Sequence, residues 1–207
     1  MKILLVQPAV SPSKGGAQWN TARLAIGLAQ KGHTVRLIGE FQSVPEMRGI
    51  LDHSEISVAP IRVHSGGLLP IVKLVSETRK FKPDVIHSCL RSGDVATGIA
   101  ALILRKPVIT TVGEKLPTEH DIRHGIGWKG RIHKFFLRRV FSAACATSQF
   151  SKEHLSNYSG MSESKIQVVP NGVDTEVFSD LKESPFDSTA NKSRKVELGV
   201  VGRIAPE

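Results

Sequence analysis

Apolar residues occur along this chain in short runs and in stripes, and the two alternate from one end to the other. "KILLVQ" (2–7), "HTVRLIG" (33–39), "PDVIHS" (83–88), "VITTV" (108–112), "SAACATS" (142–148) and "KIQVVP" (165–170) are the runs. Runs of this length, bounded by Gly, Pro and polar residues, predict strands covered on both faces. Between them apolar positions recur at helical spacing. In "AQWNTARLAIGLAQK" (17–31) Ala22, Ala25, Ile26 and Ala29 share a face and Gly32 ends the helix. In "LPIVKLVSETRK" (69–80) Ile71, Leu74, Val75 and Thr78 do the same. "GDVATGIAALILRK" (93–106) is apolar nearly all round, which predicts a deeply packed helix, and Pro107 stops it. A helix within the basic stretch 123–139 and another over 149–158 complete the series. The region 41–64 is ambiguous and reads as two short extended pieces around "ISVAPIRV".

Alternating strands and helices imply parallel βαβ units. The expected fold is therefore α/β, a doubly wound, mainly parallel, Rossmann-like sheet over residues 1–178. Residues 179–195 are polar, carry Pro and Ser, and read as a linker. The last segment, "VELGVVGRIAPE" (196–207), reads as a strand and the loop after it, which is how a new βα domain opens.

Composition narrows this without deciding it. Of 207 residues, 40% are hydrophobic and 23% charged, which predicts a packed core. The formal net charge of +9 favours an anionic partner, whether phosphate, nucleic acid or acidic lipid. Cys89 and Cys145 lie among apolar residues, away from metal-ligand spacing, and read as reduced thiols of a cytoplasmic protein. Gln7 and Pro8 interrupt "MKILLV", so it is not read as a secretory leader. The apolar stretch around "IAALIL" (99–104) falls far short of the ~20 residues that cross a bilayer.

The loop "QPAVSPSKGGAQW" (7–19) holds the most informative chemistry. Gly15 and Gly16 precede a helix, where free N–H groups and the helix dipole favour an anion; the plainer reading is a turn. The loop lacks a P-loop's Gly-Lys-Ser/Thr and is too long for a dinucleotide fingerprint, so nucleotide hydrolysis and NAD chemistry are disfavoured. In an open α/β sheet ligands bind beyond the carboxyl ends of the strands. That edge would carry the glycines, His87, Arg91, the "GEKLPTEHD" loop (113–121) and Ser148. His120 and His124 share a helical spacing but lack a third ligand, so no metal is expected. The segment "RHGIGWKGRIHKFFLRR" (123–139) sets Arg123, Lys129, Arg131, Lys134 and Arg138 among Trp128, Ile132, Phe135 and Phe136. It reads either as a core helix with a solvated basic face or as one lying on an anionic membrane. Nucleic acid is not expected, because the few aromatics (5%) cluster beside this helix without a stacking platform.

Taken together, "GGAQWNTARLAIGLAQKGHTVRLI" (15–38), "KPDVIHSCL" (82–90), "KPVITTVGE" (106–114), "ATSQFSKEHL" (146–155), "KIQVVPNGVDTEVF" (165–178) and "VGRIAPE" (201–207) resemble the retaining glycosyltransferases of family 4. The resemblance implies half of a GT-B enzyme, two Rossmann-like domains across a cleft. The amino-terminal domain takes a glycan, lipid-linked or phosphorylated acceptor; the other takes a nucleotide-diphosphate-sugar as co-substrate, without cofactor. It implies that 196–207 begin that second domain, so the chain alone should be inactive. It places Gly15, Gly16 and Arg203 on the donor phosphates. Lys14, His87, Arg91, Gly113 and Ser148 fall on the acceptor side. Two departures stand out: Gly113 occupies a place where many relatives carry histidine, and His87-Ser88-Cys89 replaces their H-x-H. Glu114 and His120 are the candidates to stand in as catalytic polar groups. The localisation implied is cytoplasmic, with a peripheral contact at the inner membrane face left open. The rival expectation is a non-catalytic module that binds anionic glycans or lipids.

Overall fold

The computed structural model describes residues 1–8, 16–39, 49, 51, 56–63, 67–113, 116, 127–172 and 175. The expected linker and terminal strand lie outside the described residues, as do 40–48; of the two extended pieces expected around "ISVAPIRV", one is a strand, Ser57–Ala59. The described elements are β1 (Lys2–Val6), α1 (Gly16–Gln30), β2 (Thr34–Ile38), β3 (Ser57–Ala59), α2 (Leu68–Phe81), β4 (Val85–Ser88) and α3 (Arg91–Leu104). They continue with β5 (Val108–Val112), α4 (Trp128–Arg139), β6 (Ala143–Ala146), α5 (Gln149–Ser159) and β7 (Ile166–Val168). A single 3-10 turn, Glu163–Lys165, leads into β7. These elements belong to one compact unit, Met1–Gly172.

Local chemistry sets the ends. Ser148 caps α5, its Oγ accepting the Ser151 N–H at 3.1 Å, and Gly160 closes that helix at φ 69°. Helices α2 and α3 instead end on Lys82 (φ 53°) and Arg105 (φ 50°), left-handed positions that usually go to glycine. Both backbone N–H groups turn back to helix carbonyls, and a cation there suits the negative end of the helix dipole. Pro83 and Pro107 follow closely and forbid continuation.

The seven strands form one sheet in the order β3-β2-β1-β4-β5-β6-β7. Every pairing is parallel; Leu5, for example, stands between Leu37 of β2 and His87 of β4. The fold is the expected doubly wound, Rossmann-like sheet. Alternation along β1 divides the core. Leu4 and Val6 join Leu74, Ile86, Leu137, Leu155 and Tyr158 under α2 to α5, while Ile3 and Leu5 join Ala22, Ala25, Val35 and Leu37 under α1.

Helix α3 corrects one expectation. It is deeply packed on one side only: Leu102 and Ile103 are 53% and 55% exposed. The buried side is built from small and polar residues, Gly93, Asp94, Ala96, Thr97, Gly98, Ala100 and Ala101. Apolarity all round therefore came from a close-approach face of alanines and glycines opposite a face with two stranded aliphatics. A Cβ on Gly98 would sit 2.4 Å from Cδ1 of Phe136 on α4, so the glycine is a notch for that ring.

The same joint holds a buried polar network. Thr110 of β5 donates to Oδ1 of Asp94 at 2.8 Å, and Nε2 of His133 meets Oδ2 at 2.8 Å. Nδ1 of His133 lies 3.1 Å from the Tyr158 hydroxyl, which donates to the Gly130 carbonyl at 3.4 Å. Four elements, α3, β5, α4 and α5, are tied through one carboxylate with no solvent exposure. Burial pushes the Tyr158 phenol above its ordinary value, so it remains a neutral donor.

Two stability outcomes follow, both read by urea unfolding. Gly98→Ala should destabilise by about 1–3 kcal/mol although alanine favours a helix by ~1 kcal/mol, and a second change, Phe136→Leu, should recover part of the loss. Asp94→Ala strands two buried hydrogen-bonding partners and should cost about 2–5 kcal/mol.

Candidate functional site

The chain leaves β1 through α1 to β2 and β3, then returns through α2 to β4 and continues outward to β7. The winding direction reverses between β1 and β4, and a crevice opens there beyond the strands' carboxyl ends. Gln7 and Pro8 extend β1 into it, Gly16 begins α1, and Cys89 and Leu90 lead from β4 to Arg91, the first residue of α3. Its floor is closed tightly. A Cβ on Gly93 would stand 2.8 Å from Cγ of Pro8, so only glycine lets the exit of β1 lie on the first turn of α3.

Gly16 differs from that structural glycine. Among the described residues nothing lies within 4 Å of where its Cβ would be. A helix N-terminus presents free backbone N–H groups that suit an anionic group. Behind it Gln7 is fully buried, its Oε1 accepting from Thr21 at 2.7 Å, while its Nε2 and the Oε1 of buried Gln18 lack partners among the described residues. Arg91 is half-buried and forms no ion pair among the described residues; a cation in the first turn of a helix opposes the dipole unless an anion stands near it.

His87 lies within β4, 7% exposed, on the α1 side of the sheet, with Nε2 2.7 Å from Oγ1 of Thr111. Burial lowers its pKa to about 4, so the imidazole is neutral near pH 7 and offers hydrogen bonds rather than charge. Burial likewise pushes the neighbouring Cys89 thiol up to about 12, which leaves it an unreactive packing residue. Cys145 is only half-buried.

Gly113 follows β5 and is exposed; a Cβ there would press on Cγ2 of Thr147 at 3.3 Å, so a larger residue needs Thr147 to move. Ser148 is exposed after β6, with its Oγ used in the α5 cap. Gly16, His87, Arg91, Gly113 and Ser148 thus share one sheet edge. Three strand spacings separate β1 from β6, roughly 14 Å. Lys14, Gly15, Glu114, His120, Arg123 and Arg203 lie outside the described residues. Lys129, Arg131, Lys134 and Arg138 are all on α4. Among the described residues no cluster of His, Cys, Asp and Glu suits a metal ion, and no helix is long and apolar enough to cross a membrane.

Sequence reasoning missed Asp94, Thr110, His133 and Gln7. Asp94 and His133 are 39 positions apart, so no local pattern pairs them. Gln7, directly after an apolar run, was the one legible signal: a polar residue at a strand's carboxyl end.

The strand order and crevice define a doubly wound, Rossmann-like domain whose ligand edge lies beyond the strands' carboxyl ends. The profile of Glycosyltransferase Family 4 matches residues 14–177, and the chain belongs to that family. It is similar to EpsF of Bacillus subtilis (strain 168), named as a glycosyltransferase, at 25% identity over 118 residues, 54% of this chain and 30% of that one. Among solved structures it is similar to Anabaena HepE in complex with UDP-glucose, with a TM-score of 0.65 and 22% identity over 86% of this chain and 46% of that one. It is also similar to a glycosyltransferase from Rickettsia africae ESF-5, with a TM-score of 0.60 and 21% identity over 89% of this chain and 46% of that one. The chain therefore spans less than half the length of each.

The buried His87 carries a pH signature. Its folded pKa lies below the unfolded value near 6.5, so the unfolded chain binds the extra proton between them. The contribution is complete above pH ~6.5 and is lost as pH falls toward ~4, up to roughly 3 kcal/mol. His87→Gln should flatten urea-measured stability across that window, and the His87 NMR resonance should stay untitrated above pH ~5.

Proposed function

We propose that this unit is the acceptor-side half of a retaining glycosyltransferase whose donor is a nucleotide-diphosphate-sugar. The observation that carries the reading is the family match across 14–177, which spans the crevice between β1 and β4 and the helix N-terminus at Gly16. The UDP-glucose of HepE supports a nucleotide-sugar as the donor class. The donor would be gripped mainly by a second domain whose first strand is 196–207. Gly15, Gly16 and Arg203 would meet its phosphates.

In this reading the acceptor hydroxyl attacks the anomeric carbon from the face the diphosphate leaves. The new carbon–oxygen bond forms as the bond to phosphate breaks, and the hydroxyl proton passes to the departing phosphate oxygen. Configuration is retained. Arg203 stabilises the growing phosphate charge, the kind of preorganised electrostatic contact worth most in a closed site. Arg91 and Lys14 suit a phosphorylated or lipid-linked acceptor, His87 and Ser148 offer neutral hydrogen bonds, and Gly113 leaves room for a sugar ring. Glu114 and His120 are assigned as the polar groups beside the reacting hydroxyl. The enzyme works in the cytoplasm with a peripheral contact to the membrane's inner face. Cationic side chains, not a metal, carry the leaving group's charge.

The test compares the 207-residue chain with the same chain joined to its native continuation, using UDP-sugars and a glycan or lipid-linked acceptor. The longer protein should release UDP at a rate unchanged by EDTA and give a product whose anomeric NMR coupling matches the donor's. The chain by itself should release none. Release by the chain alone overturns the half-enzyme reading; donor binding without any transfer favours a non-catalytic glycan- or lipid-binding module.

A further inference from the structure

We infer that the outward face of α4 is a docking surface for an anionic lipid bilayer. The helix commits Gly130, His133, Phe136 and Leu137 to the core, and these fill their places: Phe136 occupies the Gly98 notch and His133 binds Asp94. At ~100° per residue, Trp128, Arg131, Ile132, Phe135, Arg138 and Arg139 fall on the opposite arc, about 120° wide. Trp128 is 68% exposed, Phe135 57% and Ile132 39%. Single exposed apolar residues are ordinary on any protein, but three sharing an arc with three arginines form a surface of defined chemistry.

The charge identifies the occupant. Residues 128–139 carry Lys129, Arg131, Lys134, Arg138 and Arg139 and no acid. Of the flanking helices, α3 keeps its Asp94 buried, and α5 carries one exposed acid, Glu153, which accepts the Gln149 amide at 3.0 Å; the basic residues of α4 outnumber it five to one. Lys129 lies over the Trp128 ring, 5.7 Å from its centroid, so a cation and an amphipathic ring are presented together. An acidic protein or a nucleic acid would satisfy the arginines and leave Ile132 and Phe135 in water. A bilayer takes both, with phosphates at the headgroup level and hydrocarbon ~5–10 Å below.

The surface begins beside the crevice. Helix α4 runs from the carboxyl edge of the sheet back to the amino edge, so Trp128 stands at the end where the acceptor would enter. Resting on the acceptor-half reading, the inference supplies the partner: a lipid-linked acceptor taken from the membrane against which α4 lies.

The chain has two tryptophans. Trp19→Phe makes Trp128 the sole reporter. With phosphatidylcholine vesicles containing phosphatidylglycerol, its emission should move to shorter wavelength and become shielded from an aqueous quencher; phosphatidylcholine alone should leave it unchanged. Arg131→Glu with Arg138→Glu should weaken sedimentation with anionic vesicles roughly tenfold or more, and Trp128→Ala with Phe135→Ala should weaken it without altering charge. Lys31→Glu with Arg79→Glu, equally exposed cations elsewhere, should leave it intact, and circular dichroism verifies the fold of each variant. An unchanged Trp128 emission, equal binding to neutral vesicles, or equal loss from the control pair overturns the proposal. None of these readouts needs sugar transfer, so vesicle binding by a protein that transfers nothing counts against the proposed function alone.

Discussion

The structure depends on β1 pairing in parallel with β2 on one side and β4 on the other. Parallel strands cannot be joined by tight turns; each must be reached by a crossover, and right-handed crossovers put α1 on one face and α2 to α5 on the other. Reversing direction at β1 leaves no crossover over the carboxyl ends of β1 and β4. The crevice is a consequence of winding, and Gly16 and Arg91 flank it, each at the start of a helix.

The second organising feature is the joint between α3 and α4. Glycines at 93 and 98 bring Pro8 and Phe136 against α3, and the Asp94 carboxylate sits between those two contacts. The floor of the crevice and the seat of the basic helix are therefore built on one stretch of α3. Small residues give the approach, and the hydrogen bonds fix its register, because a buried carboxylate with two partners tolerates little sliding.

The α/β alternation and the doubly wound sheet were legible because short apolar runs and 3.6-residue stripes survive as signals in single elements. So was the mixed character of α4, whose cations are interleaved with Trp128, Ile132 and Phe135 in the sequence itself. Helix α3 was misread for a physical reason: alanine and glycine count as apolar whether they face a neighbour or water, so Leu102 and Ile103 were credited to a core they do not enter. The Asp94–His133 contact joins residues 39 positions apart, and no local pattern encodes it. Gly16 and Gly93 look alike in sequence, yet among the described residues a Cβ on Gly16 would meet nothing and one on Gly93 would meet Pro8. Only three-dimensional packing separates them.

The direction of α4 has a geometric consequence. A crossover helix lies roughly antiparallel to the strands it connects. A bilayer lying against the outward face of α4 would then run parallel to the strands, with the sheet lying flat above it and the helix layer between. The mouth between β1 and β4 would look along the membrane plane instead of down into it. A headgroup diffusing laterally would meet that mouth from the side, with its lipid tail never leaving the hydrocarbon.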